Sequence, residues 1–188
     1  MAVWLDIIAS FVFGTLLVLN VLRLNSDMTA QTHRSTMAYA AQNTAIGLGQ
    51  IVEEDLNKVG YGVTGTPVTL ADSSQIRFLA DLTPFGSVDT LYYHLGDLVS
   101  STPNPGDRVL YRTLGSTTGS TTDTLRVGLT NFALSYFDTS GDSLALPVTL
   151  NAIRHIRLDL TVESASPYDT TYAEAFMQLR IWPKNLGS

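Results

Sequence analysis

Residues 2–22 read AVWLDIIASFVFGTLLVLNVL, apolar almost throughout apart from one acid near the start, Asp6. About 20 apolar residues in a helix span a bilayer, and a helix apolar on every side cannot lie on the surface of a small domain. The segment therefore needs lipid or other apolar helices around it. Within such surroundings a carboxylate is costly unless something answers it. The run exceeds the 7–15 apolar residues of a secretory signal, no basic stretch precedes it and no A-x-A-like site follows. It is expected to be retained. Arg23 follows the run and no Lys or Arg precedes it, which by the positive-inside rule would place the C-terminal side in the cytoplasm; a cleaved basic leader would remove that conflict.

The helical signal continues past the apolar run. No proline occurs in residues 26–59, and Met37, Ala41, Ala45, Leu48, Val52, Leu56 and Val59 recur at steps of three or four. Polar residues such as Gln42, Glu53, Asp55 and Asn57 fill the remaining positions, the pattern of an amphipathic helix. The two segments predict one helix of about 57 residues, roughly 85 Å long at 1.5 Å per residue. Gly14, Gly47 and Gly49 each weaken it by up to about 1 kcal/mol relative to Ala, and Gly60 or Gly62 is expected to end it.

Beyond Gly60 short alternating runs replace the helical period. Strands are expected at residues 75–82, 90–95, 108–114, 124–129, 132–138, 152–164 and 171–182. In the sixth of these Ile156, Leu158, Leu160 and Val162 share one face, with Arg157, Asp159, Thr161 and Glu163 opposite. A half-apolar face belongs to an antiparallel sheet covered on one side, and the stripe from Met37 to Val59 is the expected cover. The fold class is thus α+β, a long N-terminal helix packed on an antiparallel β-sheet head. Residues 1–24 form the apolar segment, 25–59 its amphipathic continuation and 60–188 the head. STPNPGD (101–107) and GSTTGSTTD (115–123) read as polar loops.

Little in the sequence suggests catalysis. GYGVTG (60–65) fits G-x-G-x-x-G, but a helix precedes it and Thr66-Pro67 leads into strand, the reverse of the order that holds a pyrophosphate. It reads as a helix stop. DTSGD (138–142) lacks the third ligand and distal Glu of a calcium loop and reads as a hairpin turn. His33, His94 and His155 have no second histidine at i+3 or i+4. Tyr92, Tyr93, Tyr111, Tyr136, Phe137, Tyr172 and Trp182 are expected in the core or on the sheet surface. Absence of cysteine removes disulfides, thiolate metal sites and a thiol nucleophile. A net charge of −6 argues against nucleic acid as a partner. The low charged fraction, 15%, with plentiful Ser, Thr and Gly suits a surface or extracellular protein. No enzymatic activity, metal or cofactor is expected.

Asp6 has two readings. An acid in the first helical turn meets the positive end of the macrodipole, typically by 0.3–1 kcal/mol, and a plain single-pass anchor tolerates it. Alternatively the apolar helix packs among staggered copies of itself, and the carboxylate of one meets the N-terminal amine of the next. An unpaired buried charge costs several kcal/mol, so such a pair fixes the register.

In layout the sequence resembles the type IV pilins and the pseudopilins of type II secretion. An apolar helix opens the chain, and if Met1 is removed, Asp6 stands fifth behind Ala2, where that family carries an acid. QIVEEDLNKVGYG (50–62) is similar to the larger minor pilins and minor pseudopilins, as is the succession of GLTNFALSYFDTSGD (128–142), IRHIRLDLTVES (153–164) and RIWPKNLG (180–187). The family usually begins Phe-Thr-Leu-Ile-Glu after a basic leader ending in Gly; here the start is Met-Ala-Val-Trp-Leu-Asp. The resemblance implies a non-enzymatic subunit of a helical homopolymer, held first in the inner membrane and then in a surface or periplasmic filament. Copies of itself, the inner-membrane assembly machinery and a leader peptidase are the implied partners. The implied assembly residues are Ala2, Asp6, Phe11, Phe13, Gly14 and Leu17, with Gly14 where the helix loosens most readily. The alternative is a single-pass membrane-anchored binding module that never polymerises. A virion coat or tail protein is a third possibility.

Overall fold

The computed structural model describes residues 2–82, 86–117, 119–167 and 169–186, with the side chain of Ala2 left out. Met1, and with it the question of a retained methionine or a cleaved leader, lies outside the described residues. The chain divides into two compact units, residues 1–37 and 38–188. Helix α1, Ala2–Asn57, runs through both.

In the first unit every side chain from Val3 to Thr29 is exposed. The helix is long and apolar enough here to cross a membrane. Thr15 donates its hydroxyl to the carbonyl of Phe11, 2.8 Å away. Thr29, Thr32 and Thr36 bond back four residues in the same way. These hydroxyls are satisfied within the helix and ask nothing of the surroundings.

The second unit is an α+β head. Seven strands lie in sequence order, each antiparallel to the next. They are β1 Val68–Ala71, β2 Gln75–Ala80, β3 Asp89–Leu98, β4 Arg108–Ser116, β5 Gly119–Phe137, β6 His155–Glu163 and β7 Glu174–Ile181, with a 3-10 turn, Leu150–Ala152, before β6. Ala41, Ala45, Leu48, Val52, Leu56 and Val59 are buried against one sheet face, which supplies Ile76, Phe78, Leu91, Tyr93, Leu110, Phe132, Tyr136, Ile156, Leu158 and Leu160. Burying one such Leu or Phe contributes about 1.5–3 kcal/mol, so the amphipathic half of α1 is held by packing. α1 stops at Asn57, and turns with positive φ at Gly60 and Gly62 carry the chain into the sheet.

Three expectations are corrected. Residues 124–129 and 132–138 form one strand, β5, which shifts register against β4 between Leu125 and Leu129 and against β6 between Leu129 and Asn131. Gly128 takes φ +73°, and a Cβ there would fall on the carbonyl oxygen of Glu163. GSTTGSTTD is mostly ladder, with Thr113 opposite Thr122 and their hydroxyls 2.9 Å apart; Thr is at home in strands. Thr118 lies outside the described residues. The run 152–164 begins as the 3-10 turn and becomes strand only at His155.

Candidate functional site

The expected assembly residues all lie on α1. At 100° per residue Ala2, Asp6, Phe13 and Leu17 fall within a narrow arc, whereas Gly14 and Phe11 turn progressively away. Phe11 is 78% exposed, Phe13 68% and Leu17 66%. A Cβ built at Gly14 meets nothing within 4 Å. Val3, Asp6, Ile7, Ser10 and Phe11 line a shallow recess on this unit. The spacing thus groups four of the six and sets Phe11 across the recess from Asp6.

Asp6 is the fifth residue of the helix, and the first turn contains no acid. The macrodipole effect fades within the first turn, so the reading of Asp6 as a first-turn acid is corrected. Its carboxylate makes no hydrogen bond or ion pair among the described residues.

In the head the sequence reading missed a buried charge. Asp55 stands three residues after Val52 and four before Val59, on the buried stripe and not on the polar side of the helix, and is 5% exposed. It accepts hydrogen bonds from the hydroxyl of Tyr93 at 2.5 Å, from Nε of Arg112 at 2.7 Å and from Arg112 Nη2 at 3.3 Å. Arg112 also reaches Asp123 at 3.1 Å. Burial, together with the Asp55 charge, raises the Tyr93 phenol, and the hydrogen bond to Asp55 raises the Arg112 guanidinium further. The cluster ties α1 to β3 and β4. The i+3, i−4 spacing within an apolar stripe was the available signal.

The histidines do not converge. His33 is exposed on α1. On the sheet face away from α1, His94 stacks between Tyr92 and Tyr111, with ring centres 4.7 and 4.9 Å away, and Arg77 lies over Tyr92. His155 stacks between Phe137 and Trp182, at 4.6 and 5.4 Å. Burial lowers the pKa of both; nearby Arg180 lowers His155 further. Tyr93 and Tyr136 are core residues, and the hydroxyl of Tyr136 donates to the carbonyl of Asp72 at 2.9 Å. At DTSGD one Asp138 oxygen accepts from the backbone N–H groups of Ser140 and Asp142, which closes the turn.

No family model matches the sequence, and no curated protein does. Among solved structures it is similar to a type IV-like pilin from Thermus thermophilus, with TM-score 0.52 and 14% identity over 78% of this chain and 98% of that one. The fold is pilin-like. The pilin-like head supplies its own core, and the exposed apolar half of α1 fits a transmembrane anchor.

Proposed function

We propose that the chain is a structural subunit of a helical filament of the type IV pilus or pseudopilus kind, with no catalytic role. The observation that carries this reading is the pairing of a self-sufficient pilin-like head with an apolar helix segment whose side chains from Val3 to Thr29 are exposed. Lipid would cover it before assembly and other copies of α1 afterwards. In the bundle Asp6 meets the amine of a neighbouring Ala2, once Met1 or a leader has been removed. Phe11, Phe13 and Leu17 fill the helix–helix contacts, and Gly14 gives the helix freedom to bend during transfer from membrane to filament. The chain resides first in the inner membrane and then on the cell surface or in the periplasm. Assembly machinery and a leader peptidase act on it there.

The test is Asp6→Ala in the native host. The filament reading predicts membrane insertion at the normal level, a head with unchanged thermal stability, and loss of filaments. Filaments at normal yield would contradict it. Membrane insertion together with absence of filaments in the parent chain as well would favour the non-polymerising anchor.

A further inference from the structure

The two edges of the sheet differ. β1 is four residues long, follows Pro67 and lies against the 3-10 turn; short edges flanked by proline resist strand addition. β7 has eight residues and no proline, and no backbone hydrogen bond among the described residues reaches its free edge. Its sheet-inner residues Ala175, Met177 and Leu179 are only half-buried, although Val162, Leu160 and Leu158 opposite them on β6 are 0–1% exposed. On its outer face Phe176 is 61% exposed, and Trp182, just past its end, 58%.

Both charges of β7 face like charges across β6: Glu174 lies opposite Glu163, and Arg180 opposite Arg157. Directly opposed like charges destabilise a ladder. The β6 members have partners elsewhere. Glu163 accepts from Asn104 at 2.8 Å, and Arg157 pairs with Asp159 at 3.1 Å. Glu174 and Arg180 make no hydrogen bond or ion pair among the described residues, and both are exposed.

We propose that β7 is an interaction edge that pairs antiparallel with β7 of a second copy, about a two-fold axis at Met177. Directly opposed residues of a ladder point to the same face, so the symmetric registers are those centred on a residue. Centred on Phe176, Glu174 meets Gln178; centred on Gln178, it meets Trp182. Only Met177 at the centre sets Glu174 against Arg180 of the partner and Arg180 against its Glu174. The same register pairs Ala175 with Leu179, Phe176 with Gln178, and Tyr172 with Trp182. It completes the half-buried row and gives both charges the opposite partner that β6 denies them. The contact is isologous and joins two sheets edge to edge. Its axis is normal to the sheet, so helix residues 38–57 of the two copies run in opposite directions. It therefore links copies that point opposite ways and does not depend on the parallel packing of the proposed filament.

The test uses the full chain in detergent micelles. With no native cysteine, Met177→Cys gives one thiol per chain, and paired strands bring the two within disulfide reach. Oxidation should yield a disulfide-linked dimer, whereas Thr69→Cys on β1 should stay monomeric. Adding Glu174→Arg should cut the linked fraction about tenfold, as should Arg180→Glu, and the two together should restore it. Asp6→Ala should keep the cross-link even where filaments are lost, which separates this contact from helix-driven association. Should Met177→Cys misfold, sedimentation of the cysteine-free charge variants gives the same comparison. Absence of a dimer, or single charge reversals that leave it intact, would overturn the proposal.

Discussion

Asp55 is nearly buried, and its carboxylate holds the Tyr93 phenol and the part-exposed Arg112 guanidinium. Asp55→Ala leaves Arg112 and Tyr93 with unmade bonds, a loss of about 2–3 kcal/mol after allowing for the part-exposed arginine. Thermal unfolding of the head should fall by roughly 5–10 °C. A double-mutant cycle with Arg112→Ala should show clear coupling, and purely additive losses would contradict the cluster. Histidines set a second expectation. His94 and His155 have folded pKa values below 6.5 because burial disfavours the cation. As pH drops below about 6.5 the unfolded chain takes up protons that the folded chain refuses, so stability falls. NMR titration should place both imidazole midpoints below those of unfolded chain, and values at or above 6.5 would refute the stacked, neutral state.

At the scale of elements, β5 loses its register with β4 between Leu125 and Leu129, and Gly128 lies in that stretch. Any side chain there must accept φ +73° and push against the Glu163 carbonyl. Gly128→Ala should therefore cost at least about 2 kcal/mol by chemical denaturation, and an unchanged midpoint would show that the strand can relax. Gly49 is a contrasting case: an added Cβ meets Met177 Sδ at 2.7 Å, the end of a flexible chain. Gly49→Ala should be near neutral, helix propensity offsetting the adjustment. Elements with a clear period were legible in the sequence. The stripe from Ala41 to Val59 and the alternation of β6 followed from the apolar residues alone. The β4–β5 hairpin was not, because Ser, Thr and Gly mark turns as often as edges of strands, and only the register with Arg108–Ser116 decides between them. Asp55 was hidden for a different reason: its partners, Tyr93 and Arg112, lie 38 and 57 residues away.

At the scale of the whole molecule, two halves ask for different surroundings. The head buries its own apolar residues, whereas the first unit exposes Trp4, Phe11, Phe13 and the leucines and valines between them. The apolar run was legible from composition, since about 20 apolar residues admit few fates in water. The grouping of Ala2, Asp6, Phe13 and Leu17 needed helical geometry, and their use in assembly rests on neighbours that a single chain does not contain. Electron microscopy of the native protein purified from its source is the most direct test of the filament account. It should show thin helical filaments, with α1 at the axis and subunits staggered by one or two helix turns, about 5–10 Å. Detergent-solubilised monomers that form no filament under any condition would contradict it.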